Sequence, residues 1–425
     1  YTIFSASNGI TTDTRNIQEN QLFFALKCEK FNANLFAENA LKAGASYAIV
    51  DEVLNVSEEY KKRVIYVPNV LETMQQLGLL HRKKVNPKVI ALTGSNGKTT
   101  TKELVANVLL HKYKTHYTKG NLNNHIGIPL TLLAMPKDTE IAVIEMGANH
   151  QGEIASYCEY VEPDFGLITN VGRAHLEGFG GEEGVLKGKT ELYAYIGKHE
   201  GKLFVNDADE RLTEKAKSFL AEKNLIFYGQ KHSSFVRGEV VENNSEFLSV
   251  IADDETINTQ LVGAYNLDNV LAAFAIGKYF DVEKTSISAA ISSYEPGNAR
   301  SQKVVKGTNT IILDAYNANP SSMTAALENF ELLNAKNKVA IIGQMNELVA
   351  YSEDEHKRIS EIVLKMNLTT RVFVGNPFSF LQNNPNALWF ATTNELNDWY
   401  KSQTFENTTQ LIKGSRSNGL EVLVK

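Results

Sequence analysis

The sequence predicts an α/β protein of three domains, and three observations carry that prediction. Residues 88–102 read KVIALTGSNGKTTTK: a buried strand, a glycine loop and a helix start in immediate succession. From about residue 85 onward, short apolar runs alternate with helical stretches, the pattern of largely parallel sheets. A chain of 425 residues also exceeds what one ordinary core holds, so two to four domains are expected. The element pattern divides it at 1–84, 85–296 and 297–425.

The apolar run 89–92 suits a parallel strand buried on both faces. Thr93, Gly94, Ser95, Asn96 and Gly97 form the loop, whose glycines tolerate backbone angles that other residues resist. Lys98, Thr99 and Thr100 then open a helix with Leu104, Val105, Val108 and Leu109 on its inner face. Backbone N–H groups and the helix N-terminus would face an anion, Lys98 would add a mobile positive charge, and the Thr99 hydroxyl could hold Mg²⁺. The competing reading is a plain glycine turn followed by a chance Lys-Thr, and the strand–loop–helix order argues against it. Only two residues separate Gly94 from Gly97, where the usual phosphate loop has four. This marks a subtype.

A hydrophobic content of 43% with 22% charged residues is that of a soluble globular protein. The net charge of −6 argues against a general nucleic-acid binder, which would carry a basic face. No apolar run approaches the roughly 18 residues that would span a membrane, and no signal peptide is visible. Cys28 and Cys158 are the only cysteines and lie far apart in sequence. Together these features lead us to expect a protein of the reducing cytoplasm with both thiols buried.

In chain order, residues 1–84 read as a small mixed domain. A polar cluster at 11–15 precedes a strand at 22–26, a helix at 37–43, strands at 47–50 and 65–67, and a helix at 70–82. Taken alone, Asp13 and Arg15 are a surface ion pair. The middle region continues from the phosphate loop with strands at 140–145, 165–169, 202–205 and 226–228. Ligands of parallel sheets gather at the C-terminal ends of strands, and Glu145, Asn170, His175 and Asn206 follow such ends. After a linker at 296–298 come strands at 310–313, 339–342, 371–374, 388–390 and 410–412, with helices between.

Several residues on this frame could carry chemistry. Glu145 ends a buried strand in IEMGANHQGEI, where a phosphate-loop enzyme places the carboxylate for Mg²⁺. His175, in NVGRAHLEGFG, follows a strand and a glycine turn, and the residues alone leave ligand and structural roles equally open. Lys187 and Lys189 in EEGVLKGKTELYAYI read as solvated lysines on composition alone. Asn266 and Asn269 open a helix, Arg300 follows the linker, Asp314 ends a strand, and Lys413-Gly414-Ser415-Arg416 follows the last strand. Each is a weak signal, but all lie beside element termini, where loops gather around a cleft.

In this order, TGSNGKTTT, IEMGANHQGEI, NVGRAHLEGFG, GAYNLDNVLAA, DAYNANPSSM and LIKGSRS resemble the Mur ligases. The loop alone would fit any of them, or a folylpolyglutamate synthase. GNLNNHIGIP, AHLEGFG, DAYNANP and KGSRS are similar to the dipeptide-adding branch, and the resemblance runs from residue 9 to residue 416. It implies an N-terminal UDP-sugar domain, a central P-loop ATPase domain with a parallel sheet, and a C-terminal Rossmann-like domain. The implied reaction is ATP-dependent ligation of D-alanyl-D-alanine to UDP-N-acetylmuramoyl-tripeptide through an acyl phosphate, in peptidoglycan synthesis. Two Mg²⁺ ions and a lysine carbamylated by CO₂ are implied as well.

By motif match, the loop residues Gly94, Ser95, Asn96, Gly97 and Thr100 would hold ATP, with Lys98 on its β- and γ-phosphates. Thr99 and Glu145 would hold the first Mg²⁺. His175 would hold the second, supported by carbamylated Lys189, which the match to GKTELY selects over Lys187. Asn266 and Asn269 would approach the adenine, Arg300 the γ-phosphate and Asp314 the ribose. Thr12, Asp13 and Arg15 would lie at the uridine-diphosphate end, and Asn121, Asn123 and Asn124 would face the nucleotide-sugar. Asn317, Lys413 and Arg416 would meet the peptide and dipeptide carboxylates. A cytoplasmic monomer is expected, with no nucleic-acid partner and no membrane insertion.

Three positions depart from the family's pattern. Tyr265 stands where many relatives have His, Gln344 in GQMNEL replaces a common Asp, and EPGNARSQ is a looser lead-in to Arg300. The alternative is a related ligase that adds a different amino acid. A nucleotide switch is the rival from another class, but the Asn-Lys-x-Asp base reader of a GTPase switch is missing from the sequence.

Overall fold

Ile90 and Leu92 point into one apolar cluster and Val89 and Ala91 into another, all four fully buried. That alternation fixes the strand Lys88–Thr93 inside a sheet covered on both faces. The computed structural model describes residues 1–241, 247–297 and 299–424. In it this strand is one of a nine-stranded sheet. Thr115–Tyr117, Ile141–Glu145, Lys88–Thr93, Phe165–Ile168, Lys202–Asn206, Leu225–Gly229 and Val236–Val240 run parallel in that spatial order. Ser249–Ala252 and Glu255–Asn258 extend the sheet antiparallel.

Helices Lys98–Leu110, Leu267–Tyr279 and Lys284–Ser292 cover one face. Gly127–Leu133, Glu153–Val161, Glu182–Lys198 and Glu210–Phe219 cover the other. The parallel strands lie close to where the sequence places them. The antiparallel extension and the edge strand Thr115–Tyr117 were not expected. The parallel strand Val236–Val240 was not expected either, and its pattern explains why: Val236 and Gly238 are buried while Arg237 and Glu239 are exposed, so it lacks a continuous apolar run.

The N-terminal sheet is parallel throughout and pairs Ile10–Thr11, Leu22–Phe24, Tyr47–Val50 and Val64–Tyr66. The helix that follows runs Val70–Val85, three residues longer than expected. Asn69 caps its start by accepting the Glu72 N–H, and Asn86 ends it in the left-handed conformation. Arg82 near its end donates to the Val161 and Glu162 carbonyls, tying this helix to the large sheet.

The C-terminal sheet has six strands. Asn309–Asp314, Thr408–Lys413, Asn337–Gly343, Thr370–Val374 and Leu388–Phe390 run parallel, and Gln302–Lys306 adds an antiparallel edge. Asn298 of the expected linker lies outside the described residues. One expectation fails outright. Cys158 is buried, but Cys28 is exposed on a two-stranded hairpin, Lys27–Cys28 with Phe31–Asn32, which has too few apolar neighbours to bury it.

Candidate active site

The phosphate loop keeps its shape because it is packed against the end of the neighbouring strand. Gly94 has φ 145° and Gly97 φ 77°; a Cβ would stand 1.9 Å from Thr169 Oγ1 at the first and 2.5 Å from Asn269 Oδ1 at the second. No other residue fits either position without moving a neighbour. Ser95 N–H donates to the Asn170 carbonyl at 2.9 Å, Asn96 N–H to Asn170 Oδ1 at 3.0 Å, and Thr169 Oγ1 to the Asn96 carbonyl at 2.6 Å. Asn170 therefore staples the loop. Gly94→Ala is expected to cost about 1–3 kcal/mol of stability by overpacking and backbone strain. A lowered denaturation midpoint together with weakened ADP binding would be the measured result.

Lys98 opens the helix, and its ammonium donates to the carbonyls of Gly94 at 2.7 Å and Ser95 at 3.3 Å. Burial pushes its pKa down and the nearby Arg300 adds to this, against the attraction of Glu145 and Glu347. Next to it, Thr99 Oγ1 donates to Glu145 Oε1 at 3.2 Å, and Asn123 Nδ2 reaches the same oxygen at 2.7 Å. Glu145 is 1% exposed, and its second oxygen, Oε2, is buried without a partner. A buried carboxylate oxygen lacking a donor is costly unless a cation meets it. Thr99 and Glu145 thus fit a hard cation such as Mg²⁺ bound beside the phosphates. Among the described residues no group of three or more His, Cys, Asp or Glu side chains is poised as a metal cage.

Lys102, overlooked in the sequence, is fully buried one turn further along the same helix. Its ammonium donates to the Thr118 carbonyl at 2.9 Å, and Thr118 Oγ1 accepts the Glu145 N–H at 3.0 Å. The apolar spacing of the helix hides this lysine, because it occupies a core-facing position.

The two lysines of the helix Glu182–Lys198 part company. Lys187 is exposed, whereas Lys189 is 1% exposed, with its Nζ 3.0 Å from the Ala148 carbonyl and 4.9 Å from the centre of the Phe179 ring. Burial drives the Lys189 pKa well below 10.5, and the positive charge of Lys98 adds to this. Disfavouring the charged form of the amine at this spot fits a reaction with CO₂. His175 takes a left-handed backbone at φ 52° and caps the short helix Leu176–Phe179. Its Nδ1 pairs with the carboxylate of Glu347, which comes from the C-terminal sheet.

Across from the phosphate loop lies the wall made by the C-terminal sheet, and between them is a cavity of about 730 Å³. Lys98, Thr99, Glu145, His175, Arg300 and Asp314 all line it. Arg300 lies over the Tyr316 ring at 3.6 Å. Asp314 accepts the Ser301 N–H at 3.2 Å and forms an ion pair with Lys413, whose side chain is 2% exposed. The resemblance assigned these two residues to separate ligands, so their pairing is new. Asn317 lines the cavity and accepts the Ala318 N–H with its own Oδ1 at 2.9 Å.

Asn266 and Asn269 bond each other at 2.8 Å, and Thr101 Oγ1 donates to Asn269 Oδ1 at 2.9 Å, locking their helix to the loop helix. Tyr265 bonds Ser301 at 2.8 Å and lines the cavity. Asn121, Asn123 and Asn124 line it from the opposite side, and Asn124 also caps the helix Gly127–Leu133 by accepting the Gly127 N–H at 2.8 Å.

Other residues stand apart from this cavity. Thr12, Asp13 and Arg15 are not in its lining, and Asp13 and Arg15 form an exposed ion pair at 2.6 Å. Arg416 is also outside the lining, 5.6 Å from the Tyr316 ring and 3.6 Å from Glu421. Asn206 turns inward to accept the Ala208 N–H at 3.0 Å. The main-chain carbonyl of Gln344 accepts the Ser415 N–H at 3.1 Å, and the acid of its loop that reaches the cavity is Glu347.

Fold and cavity define a class: P-loop enzymes of phosphoryl transfer in which a separate sheet faces the nucleotide loop across a cleft. Residues 92–277 match the Mur ligase middle domain and residues 299–416 match the Mur ligase, glutamate ligase domain. The chain is 32% identical to the UDP-N-acetylmuramoyl-tripeptide–D-alanyl-D-alanine ligase of Bacillus subtilis, over 98% of this chain and 92% of that one. It is 33% identical to the enzyme of the same name from Escherichia coli, over 98% and 93%. A crystal structure of MurF from Acinetobacter baumannii superposes with a TM-score of 0.87 at 30% identity, covering 99% of this chain and 96% of that one. The fold is also that of MurF ligase from Thermotoga maritima in complex with ADP, with a TM-score of 0.85 at 24% identity over 100% and 97% of the two chains. The chain belongs to the Mur ligase family.

Proposed function

We propose that the chain joins D-alanyl-D-alanine to UDP-N-acetylmuramoyl-tripeptide at the expense of ATP, giving the pentapeptide precursor of peptidoglycan with ADP and phosphate. The observation that carries this reading is one cavity shared by the phosphate loop, the unpaired Glu145 oxygen and the Arg300–Asp314 wall, in a chain alike end to end to ligases of that name.

A carboxylate is a poor electrophile and must be activated first. An oxygen of the tripeptide's terminal carboxylate attacks the γ-phosphorus, and the bond from that phosphorus to the ADP oxygen breaks. The amine of D-alanyl-D-alanine then attacks the acyl carbon and gives up a proton, and phosphate leaves. Lys98 moves from the loop carbonyls to the β- and γ-phosphates, while the loop N–H groups and helix N-terminus hold the same anion. Arg300, on the facing wall, meets the γ-phosphate, and Asp314 takes the ribose. Thr99 and Glu145 hold one Mg²⁺; His175 and a carbamate on Lys189 hold a second. When bound, these ions offset the negative charge that builds on the transferring phosphoryl group. The C-terminal sheet excludes water that would otherwise hydrolyse the acyl phosphate.

The carboxylates of the peptide and dipeptide fall to Asn317, Lys413 and Arg416. The nucleotide-sugar falls to Asn121, Asn123 and Asn124, and its uridine diphosphate to Thr12, Asp13 and Arg15. No helix among the described residues is long and apolar enough to cross a membrane. The cytoplasm, where ATP and UDP-linked precursors are made, is the natural compartment.

The test is phosphate release that requires both UDP-N-acetylmuramoyl-tripeptide and D-alanyl-D-alanine. Equal release with ATP alone would instead make the chain a nucleotide hydrolase. A second measurement concerns acceptor choice. Arg416 can grip a carboxylate through two parallel hydrogen bonds that a lysine cannot reproduce. Arg416→Lys is expected to raise KM for D-alanyl-D-alanine about tenfold and to leave KM for ATP unchanged. Equal rises in both would point to a damaged fold.

A further inference from the structure

We propose that Glu347 is a positioning residue for His175, so that the C-terminal sheet completes the second metal position when it docks. The inference rests on the reading of His175 as a metal ligand.

Two bent backbones bring the pair together. His175 sits at φ 52° and Glu347 at φ 63°, and non-glycine residues adopt this left-handed region at a cost. Both bends lie in loops at the C-terminal ends of strands, one leaving Phe165–Ile168 and the other leaving Asn337–Gly343. Each aims its side chain at the other across the cleft.

His175 turns Nδ1 to the Glu347 carboxylate in an ion-pair contact, and an imidazole held with Nδ1 against a carboxylate leaves the Nε2 lone pair free. A metal-ligating histidine needs that state. The partner need not come from another sheet, but here it does, so the state of His175 depends on docking. Neighbouring contacts hold the same seam. Arg173 N–H donates to Ser321 Oγ at 2.8 Å, and its guanidinium pairs with Glu355 at 2.6 Å. Asn319 Nδ2 donates to Asn96 Oδ1 on the phosphate loop at 2.8 Å. The loop that carries His175 is thus also held to the C-terminal domain two residues before the Glu347 contact. Gln344 in the same loop is uncharged, and Glu347 is the carboxylate that this loop places on the cavity.

The experiment counts Mn²⁺, as a spectroscopic substitute for Mg²⁺, bound to the full chain saturated with a non-hydrolysable ATP analogue, by the electron paramagnetic resonance of the free ion. Two Mn²⁺ per chain are expected, one held by Thr99 and Glu145. Glu347→Ala should weaken the other by about 10–100-fold, the usual cost of losing a ligand's orienting partner. Glu347→Gln keeps a hydrogen-bond acceptor in place and should recover most of that affinity, which a purely structural role would not predict. Affinity for the analogue alone, without metal, should be unchanged in both variants and so reports an intact fold. Wild-type Mn²⁺ binding in Glu347→Ala, alongside loss in His175→Ala, would overturn this inference and leave the metal reading standing. Wild-type binding in His175→Ala would remove the metal reading and this inference with it.

Discussion

Lys98→Ala is expected to abolish ligation, with kcat lower by about three orders of magnitude, equivalent to about 4 kcal/mol of transition-state stabilisation. Lys98 is the phosphate loop's one lysine or arginine, and its ammonium now rests on the Gly94 and Ser95 carbonyls, from which a nucleotide's phosphates would draw it. Its half-buried place raises the worth of that charge, because little water competes for it. Alanine leaves the loop N–H groups and the helix N-terminus intact, so ADP affinity should fall much less than turnover. Single-turnover phosphate release against ADP titration separates the two. Near wild-type turnover in Lys98→Ala would remove the loop's assignment as the phosphoryl-transfer site.

The parts of this site that could be read in the sequence are those where chemistry and local structure coincide in a few adjacent residues. The phosphate loop shows itself because strand, glycines, lysine and helix must follow in that order. Glu145 shows itself because an acid closes the apolar run 141–144 at the sheet edge where the phosphate loop also lies. Lys189 is the opposite case. On composition it matches Lys187; in the sequence only the motif match separates them, and in the structure the packing against Phe179 and Ala148 does.

Contacts between distant segments left no mark. The His175–Glu347 and Asp314–Lys413 pairs join residues whose proximity depends on how two sheets, or two strands of one sheet, come together. The half-solvated strands at 236–258 were missed for another reason, since alternating polar residues dilute the apolar signal that identified the buried strands. Arg416 was chosen by its motif, and the structure places it outside the cavity lining, behind Tyr316. Its effect on the dipeptide is therefore more informative than that of a residue already in the wall.

Lys189 carries the other large expected effect. Burial holds its pKa well below its ordinary 10.5, because the folded chain disfavours the charged amine that the unfolded chain solvates freely. That imbalance costs stability at every pH below 10.5 and disappears above it, because there both states are neutral. A residue that costs stability unmodified and sits beside the reaction centre has a chemical reason to be present. The neutral amine can attack CO₂: the new bond joins Nζ to carbon, nitrogen loses a proton, and the product is an anion where an ammonium would be unwelcome beside Lys98. Lys189→Met keeps the volume and removes the buried amine, so its melting temperature should equal or exceed that of the wild type while activity falls by about a hundredfold or more. Lys189→Ala should lose a similar amount of activity, and formate or acetate filling the vacated anion site should restore part of it. Lys187→Ala, on the exposed side of the helix, should stay within about twofold of wild type. Mass spectrometry of the native protein under non-acidic conditions should find the carbon dioxide adduct on Lys189. A bare Lys189 ammonium in a crystal holding nucleotide and Mg²⁺, with Lys187→Ala the inactive variant, would reverse the assignment.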